Sequence, residues 1–352
     1  MGSVIIGSGR ALPARIVTND ELSEIVDTTD EWIVPRTGIH TRHVAIEETC
    51  TDLGAQAALR ALGLEEGGWQ REAGAIEAAS LDMIICPTLT ADTHFPSEAA
   101  RIRERIGATN AVCYDMSCAC SGCVYGLSTA DLIMAGAAFA RQEAARTGRP
   151  LRCNDVRRVL VVAAERLSKL VDWEERATCI LFGDGAAAAV YRATEDDNLG
   201  IQSTFIAADG SGAEYLRMEA LPVEDPFAED RTVDPKARFL KMQGAAVVRF
   251  TARAVPQAID TALQRAGITA DDIDWVVPHQ ANLRILDVIA RRYHLPKEKV
   301  YVNMDRFGNT SSASVPICLN EMRRNGLLRE GQTIVCTGFG GGLTYGAFVL
   351  KL

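Results

Sequence analysis

The 352-residue sequence predicts an α/β fold of layered sheets and helices, built from two copies of one βαβαβαββ unit. Three observations carry this prediction. Short apolar runs of strand length alternate with longer segments of 3.6-residue period. The order of these elements in the first half recurs in the second. The turn Phe182-Gly183-Asp184-Gly185 is echoed by Phe339-Gly340-Gly341-Gly342 at the same place in the other half.

Taken in order, the apolar run 4–9 reads as a strand and 52–62, apolar along one face, as a helix. A strand over 81–86, a helix over 96–106 and a strand over 111–116 come next. A long helix starts at Cys120, and strands 159–164 and 186–191 close the unit across the first glycine turn. The second unit runs strand 201–206, helix 245–265, strand 273–277, helix 281–293, strand 300–303 and a helix from Ser311. It ends on strands 333–336 and 343–350 around the second glycine turn. At about 150 residues per domain the length allows two domains, and the repeat divides the chain into 1–195 and 196–352. The junction Glu195-Asp196-Asp197-Asn198 has no Pro- or Ser-rich linker, so the halves should pack as one body. Strand ends and helix starts of both would then face a shared seam, where ligands of such sheets sit.

A chain 47% hydrophobic and 24% charged is globular, which excludes disorder, collagen and coiled coil. The longest apolar stretches, such as 186–191, fall short of the roughly 18 to 20 residues of a membrane span, and no transmembrane segment is expected. Residues 1–13 lack a basic region followed by an apolar core, so a cytoplasmic location is expected. With 37 basic and 46 acidic residues, net −9, the charge argues against a general nucleic-acid binder and leaves room for a local basic patch. The ten cysteines should be mostly reduced in that compartment. Cys86, Cys179 and Cys336 lie in apolar runs and read as small buried hydrophobes.

The segment Tyr114-Asp115-Met116-Ser117-Cys118-Ala119-Cys120-Ser121-Gly122-Cys123 joins a strand to a helix through small residues. Cys120 at the helix start meets unpaired N–H groups and the positive end of the helix dipole, which favour a thiolate and a lowered pKa. That makes a nucleophile, and the same N–H groups could hold an oxyanion. Cys118, Cys120 and Cys123 also have dithiol or metal spacing. A zinc site would need a second pair, and neither Cys50 nor Cys153 has a partner at ligand spacing. No metal is therefore expected, and Cys123 should pack inward. Of five histidines, His40, His43, His94 and His294 lie among polar or loop residues. His279 instead ends the apolar run Trp275-Val276-Val277-Pro278, facing the seam. Asn309 precedes the second-half helix that repeats the one starting at Cys120; a helix cap alone would also explain it. The repeat brings Cys120, His279 and Asn309 around one point, a nucleophile with two hydrogen-bonding partners.

Through these residues the chain resembles the β-ketoacyl-[acyl carrier protein] synthase III family, condensing enzymes of the thiolase-like fold. The resemblance runs end to end, through Val26-Asp27-Thr28-Thr29-Asp30-Glu31-Trp32-Ile33-Val34-Pro35-Arg36-Thr37-Gly38-Ile39, the cysteine segment, Pro278-His279-Gln280-Ala281-Asn282-Leu283-Arg284, Asp305-Arg306-Phe307-Gly308-Asn309-Thr310-Ser311 and Phe339-Gly340-Gly341-Gly342. It implies a five-layered αβαβα architecture and a decarboxylative Claisen condensation that starts type II fatty acid synthesis. By the resemblance, Cys120 takes an acyl group from coenzyme A, and malonyl-[acyl carrier protein] loses carbon dioxide and attacks it. His279 and Asn309 donate to the malonyl thioester oxygen, and the N–H groups of Cys120 and Gly341 form the oxyanion hole.

The same resemblance implies that Trp32 and Arg176 sandwich the adenine of coenzyme A while Arg36 and Arg284 meet its phosphates or line the entrance. Phe95 would reach across a homodimer interface to cap the partner's acyl pocket, favouring a short primer such as acetyl-CoA. Arg249, Arg284, Arg291 and Arg292 would steer the acidic carrier protein. No cofactor beyond the thioester substrates is implied. Four features depart from the family pattern: Ala245 for an asparagine touching pantetheine, Ala177 for a glycine after the adenine-contacting arginine, Cys118 and Cys123 for alanine and an aromatic, and an added stretch near 139–155. A thiolase would need a second cysteine where Gly338 stands, two residues past Cys336, and a hydroxymethylglutaryl-CoA synthase a catalytic glutamate absent from the matching place. A relative serving specialised metabolism keeps the same triad with another primer or acceptor.

Overall fold

The computed structural model describes residues 2–219, 227 and 234–352. Its larger sheet orders the strands Trp69–Gln70, Gly2–Ala11, Gly185–Thr194, Arg158–Glu165, Met83–Pro87 and Val112–Met116. The second orders Gly200–Ala208, Thr344–Lys351, Thr333–Gly340 and Trp275–Pro278. The two orders correspond. In each, the unit's first strand pairs antiparallel with its last, the last antiparallel with the one before, and that one parallel with the next. The predicted strand 300–303 is corrected to a single parallel bridge, Val276 to Val300. Elements not predicted include the edge strand Trp69–Gln70, the ribbon Ile16–Thr18 with Thr41–His43, and the helix Asp30–Thr37.

The helices Gly122–Thr147 and Ser314–Arg324 pack between the two sheets and touch both. Outside the first sheet lie Cys50–Leu62 and Glu98–Ile106; outside the second lies Gly244–Ala266, with Leu283–Arg292 against it. This is the five-layered αβαβα order of the thiolase-like fold. One apolar cluster joins both sheets to the central helices, through Ile85, Cys123, Leu127, Val161, Val315 and Phe348. Burial of such side chains contributes roughly 25 cal/mol per Å² of apolar surface removed from water. Cys123 faces this core, as expected, and all ten cysteines are free thiols.

The segment Ala119–Thr147 is long and apolar enough to cross a membrane, which corrects the expectation that no stretch reaches that length. The reason is its place: a helix in the middle layer is apolar around much of its circumference, and half of its most apolar window is buried inside the protein.

Candidate active site

Past the strand Val112–Met116 the chain reverses at Ala119, whose φ of 45° lies in the left-handed region. One 3-10 turn, Ala119–Ser121, then runs into the helix Gly122–Thr147. The second half repeats the device: Ser311 has φ 49°, the turn Ser311–Ala313 comes next, and the helix Ser314–Arg324 continues it. Such a backbone costs an L-residue about 1–2 kcal/mol, so each elbow must be held. In the first, the hydroxyls of Ser121 and Thr344 meet at 2.7 Å and reach the Cys118 carbonyl at 2.8 and 3.0 Å. Thr344 also lies 3.0 Å from the Gly341 carbonyl. The two elbows touch, since a Cβ on Gly122 would stand 3.1 Å from that of Ser312.

The glycine run does more than turn the chain. A Cβ on Gly340 would stand 2.6 Å from the Cys120 nitrogen and 3.0 Å from its Cβ, so only glycine lets the strand Thr333–Gly340 lie this close to Cys120. Gly341 comes next, where an added Cβ would stand 3.6 Å from that of Ala119. This enclosure decides the state of the thiol. Cys120 is buried, and burial pushes it up to about 12, with the neighbouring Ser311 hydroxyl pulling the other way and the Glu165 carboxylate adding to the rise. The expected lowering by the helix start is thus corrected: desolvation of a thiolate outweighs one helix terminus. Burial therefore favours the neutral thiol at Cys120.

His279 succeeds the strand Trp275–Pro278, donates its backbone N–H to the Thr337 carbonyl at 2.8 Å and sets its ring edge-on to Phe339 at 5.1 Å. Phe339 immediately precedes Gly340, so the histidine and the cysteine flank one strand end. Burial pushes the imidazole down to about 3, leaving it neutral. Its Nδ1 lies 2.7 Å from the Ser314 hydroxyl, which is also 2.9 Å from the Ser311 carbonyl. A hydroxyl has one proton to give. When Ser314 donates to the carbonyl, Nδ1 carries hydrogen and Nε2 a lone pair; when it donates to Nδ1, Nε2 carries the hydrogen.

Asn309 is clamped by its backbone: its N–H donates to the Leu181 carbonyl at 2.8 Å, and its own carbonyl accepts from Gly183 at 3.0 Å. The second-half turn is thereby tied to the glycine turn of the first. Its Oδ1 accepts the Ser311 N–H at 2.9 Å, as a capping residue does. Nδ2, without a partner among the described residues, is left to donate elsewhere. Two elbows, a strand end and a clamped turn thus gather Cys120, His279, Asn309 and the glycine run.

Of the residues expected at a coenzyme A entrance, three form one stack: the Arg36 and Arg176 guanidinium carbons lie 4.4 and 4.2 Å from the Trp32 ring centre. Arg176 and Trp32 also line a surface cavity of ≈ 650 Å³ with Asp27, Glu175 and Ala177. Arg284 reaches toward the Pro35 carbonyl at 3.4 Å, and Asn282 donates to the Arg36 carbonyl at 2.9 Å, joining the helices Asp30–Thr37 and Leu283–Arg292. Arg249, Arg284, Arg291 and Arg292 are all exposed. They divide, however: Arg284 and Arg291 share a groove with Val248 and Val288, whereas Arg292 lines another cavity and lies 3.5 Å from Asp260. Phe95 is 86% exposed. The added stretch continues the long helix to Thr147, and beyond it Asp155 pairs with Arg141 and, at 2.8 Å, with Arg157. Among the described residues no group of three or more His, Cys, Asp or Glu could hold a metal ion.

Sequence reasoning missed Ser314, Ser311 and Glu165. Ser311 and Ser314 lie in the segment that carries Asn309, but their facing partners come from other elements. Glu165 did leave a signal, as a carboxylate ending the apolar run 159–164.

Residues 263–352 match the family model described as 3-Oxoacyl-[acyl-carrier-protein (ACP)] synthase III C terminal, and residues 148–210 match that of 3-Oxoacyl-[acyl-carrier-protein (ACP)] synthase III. The beta-ketoacyl-[acyl-carrier-protein] synthase III of Clostridium acetobutylicum is 39% identical over 352 residues, 100% of this chain and 99% of its own. The crystal structure of 3-oxoacyl-[acyl-carrier-protein] synthase III from Aquifex aeolicus superposes with a TM-score of 0.82 at 37% identity, covering 100% of both chains. The priming beta-ketosynthase of the R1128 polyketide pathway gives 0.81 at 36% identity, over 99% of this chain and 96% of its own. With both elbows and the glycine strand in place and relatives matching from end to end, the chain belongs to the β-ketoacyl-[acyl-carrier-protein] synthase III family, condensing acyltransferases that initiate fatty acid synthesis.

Proposed function

We propose that the chain condenses a short acyl-CoA, acetyl-CoA first, with malonyl-[acyl carrier protein] to give the 3-oxoacyl carrier, coenzyme A and carbon dioxide. The observation that carries this reading is the burial of Cys120 at one elbow, against the other elbow and under the glycine strand. Cys120, from the half 1–195, is the nucleophile and takes the acyl group as a thioester. His279 and Asn309, from the half 196–352, donate through Nε2 and Nδ2 to the malonyl thioester oxygen and stabilise the enolate as carbon dioxide leaves. A ring kept neutral suits that role, because an imidazolium would protonate the carbanion. The Cys120 and Gly341 N–H groups receive the tetrahedral oxyanion.

Trp32, Arg176, Arg36 and Arg284 bind coenzyme A. The arginines already stacked on Trp32 support this, although an adenine entering between Trp32 and Arg176 must displace one contact of that stack. An exposed Phe95 supports a ring that caps the acyl pocket of a second copy in a homodimer. Arg249, Arg284, Arg291 and Arg292 form the carrier-docking patch; the groove shared by Arg284 and Arg291 supports its centre. The protein works in the cytoplasm without a cofactor. A priming ketosynthase of a specialised pathway is the second reading, favoured by the likeness to the R1128 enzyme.

Intact-protein mass spectrometry tests both. After incubation with a panel of acyl-CoAs, one acyl adduct is expected on the wild type and none on Cys120→Ala, discharged by malonyl-[acyl carrier protein]. An adduct formed only from longer or branched primers would favour the second reading, and no adduct from any acyl-CoA would overturn the first.

A further inference from the structure

The two N–H groups assigned to the oxyanion come from different halves of the chain, Cys120 from the first elbow and Gly341 from the glycine turn. Among the described residues neither N–H is given to a backbone partner, so both are left to donate to a ligand. Their value depends on pointing at one spot, since losing one such donor costs about 10²- to 10³-fold in rate.

The turns alone do not hold the two in register. Gly340, Gly341 and Gly342 have no side chains whose packing could fix a peptide plane, and none can be added. A Cβ on Gly340 would stand 2.6 Å from the Cys120 nitrogen, and one on Gly341 3.0 Å from the Leu216 carbonyl oxygen. On the facing side, Ala119 bends the elbow at a φ of 45°, a conformation that persists only where its surroundings enforce it.

One side chain reaches both. Thr344 opens the strand Thr344–Lys351, and its hydroxyl lies 3.0 Å from the Gly341 carbonyl and 3.0 Å from the Cys118 carbonyl. The Ser121 hydroxyl stands 2.7 Å from the same oxygen and 2.8 Å from the Cys118 carbonyl. Each hydroxyl has one proton, and their close contact requires one to donate to the other. Either Ser121 donates to Thr344 and Thr344 to one of the carbonyls, or Thr344 donates to Ser121 and Ser121 to Cys118. In both arrangements Thr344 Oγ1 is the atom that joins the elbow to the glycine turn. The Cys118 carbonyl lies one peptide before the Cys120 N–H, and the Gly341 carbonyl one α-carbon after the Gly341 N–H. A shift of either carbonyl therefore redirects a donor.

We propose that Thr344 is a positioning residue of the oxyanion hole: its hydroxyl pins the Cys118 and Gly341 peptides so that the Cys120 and Gly341 N–H groups converge on one oxygen. It acts through those two peptides and not on the substrate. Acylation and condensation both pass through a tetrahedral oxyanion on the acyl carbonyl, so Thr344 serves both. This assignment rests on the condensing-enzyme reading.

Thr344→Val keeps the shape of the side chain and removes the hydroxyl, whereas Thr344→Ser keeps the hydroxyl. Mass spectrometry compares two reactions at Cys120 in each. Single-turnover acylation, by acetyl-CoA first and otherwise by the acyl-CoA that labels the wild type, forms an oxyanion. Alkylation by iodoacetamide displaces iodide from a saturated carbon and forms none. Thr344→Val should slow acylation at saturating acyl-CoA by on the order of 10²-fold while alkylation stays within a few-fold of the wild type, and Thr344→Ser should recover most of the loss. Acylation by Thr344→Val at the wild-type rate would overturn the proposal. So would acylation and alkylation falling together, the mark of an elbow displaced as a whole, or a loss in Thr344→Ser as large as in Thr344→Val, the mark of side-chain fit and not of the hydroxyl. Where Thr344→Val fails to fold, Thr344→Ala carries the same expectation. A wild type that takes no acyl group from any acyl-CoA would instead sink the condensing-enzyme reading itself.

Discussion

Burial makes a numerical prediction about Cys120. A thiol held at about 12 rather than the ordinary 9.0 is about a thousandfold poorer in thiolate anywhere below pH 8, because each unit is a factor of ten. At pH 7 the thiolate fraction is on the order of 10⁻⁵. Iodoacetamide attacks the thiolate and brings no protein-directed proton transfer of its own. Its rate at Cys120, read by peptide mass spectrometry in a Cys153→Ser background to remove the exposed thiol, should therefore rise about tenfold per pH unit from about pH 7 to 10 without levelling. Acyl-CoA, by contrast, should acylate Cys120 at pH 7, because only its addition forms an oxyanion that the backbone N–H groups stabilise. A labelling rate that reaches a plateau below about pH 8 would refute the reasoning. It would mean that the helix start outweighs desolvation at this elbow.

Two other outcomes rest on the same geometry. Gly340→Ala puts a Cβ 2.6 Å from the Cys120 nitrogen; the elbow must shift, costing about 1–3 kcal/mol in thermal or denaturant unfolding and on the order of 10²-fold in acylation. Gly136→Ala on the same long helix, where a Cβ meets nothing within 4 Å, should leave both near the wild type. For His279, burial holds the ring at about 3 against 6.5. The unfolded chain therefore binds a proton that the folded chain refuses over that window, and stability should fall as pH drops below 6.5. Condensation by the acylated enzyme should show no step near pH 6.5, whereas an inflection there in the wild type that His279→Gln abolishes would show a ring that titrates normally.

The strands were legible because most are buried on both faces and read as unbroken apolar runs; Val159 to Ala164, at most 4% exposed, is such a run. The strand expected over 300–303 failed because polar contacts take the chain away after one bridge. The Asn303 N–H goes to Gln280 at 3.0 Å and its amide to Glu321 at 3.0 Å, so the backbone beyond Val300 is anchored to side chains and not to a ladder. The helix Asp30–Thr37 went unread because Pro35 interrupts it, although Thr29 caps its start and Gly38 in the left-handed region ends it. At the site, Cys120, His279 and Asn309 were legible from position within a repeat. Their ionisation was not. A helix start can be read from sequence, but the strand over Cys120 and the ring against His279 come from segments 220 and 60 residues away, and their burial sets both pKa values.

The repeat also explains why only one elbow carries the nucleophile. Both elbows have the same left-handed residue, the same 3-10 turn and the same entry into a central helix, yet Ser312 faces Glu165 at 2.7 Å while Cys120 faces the glycine strand. A serine hydroxyl is a weaker nucleophile than a cysteine sulfur, and Ser312 is engaged with Glu165 and the Pro87 carbonyl. The sulfur of Cys120 has no such strong partner, only a glycine strand thin enough to leave room beside it. One elbow therefore places its nucleophile against the glycine strand, and the other holds the carboxylate. On this view exchanging the two residues, Cys120→Ser with Ser312→Cys, would not move the chemistry to the second elbow, because the glycine strand lies against residue 120 and not against residue 312.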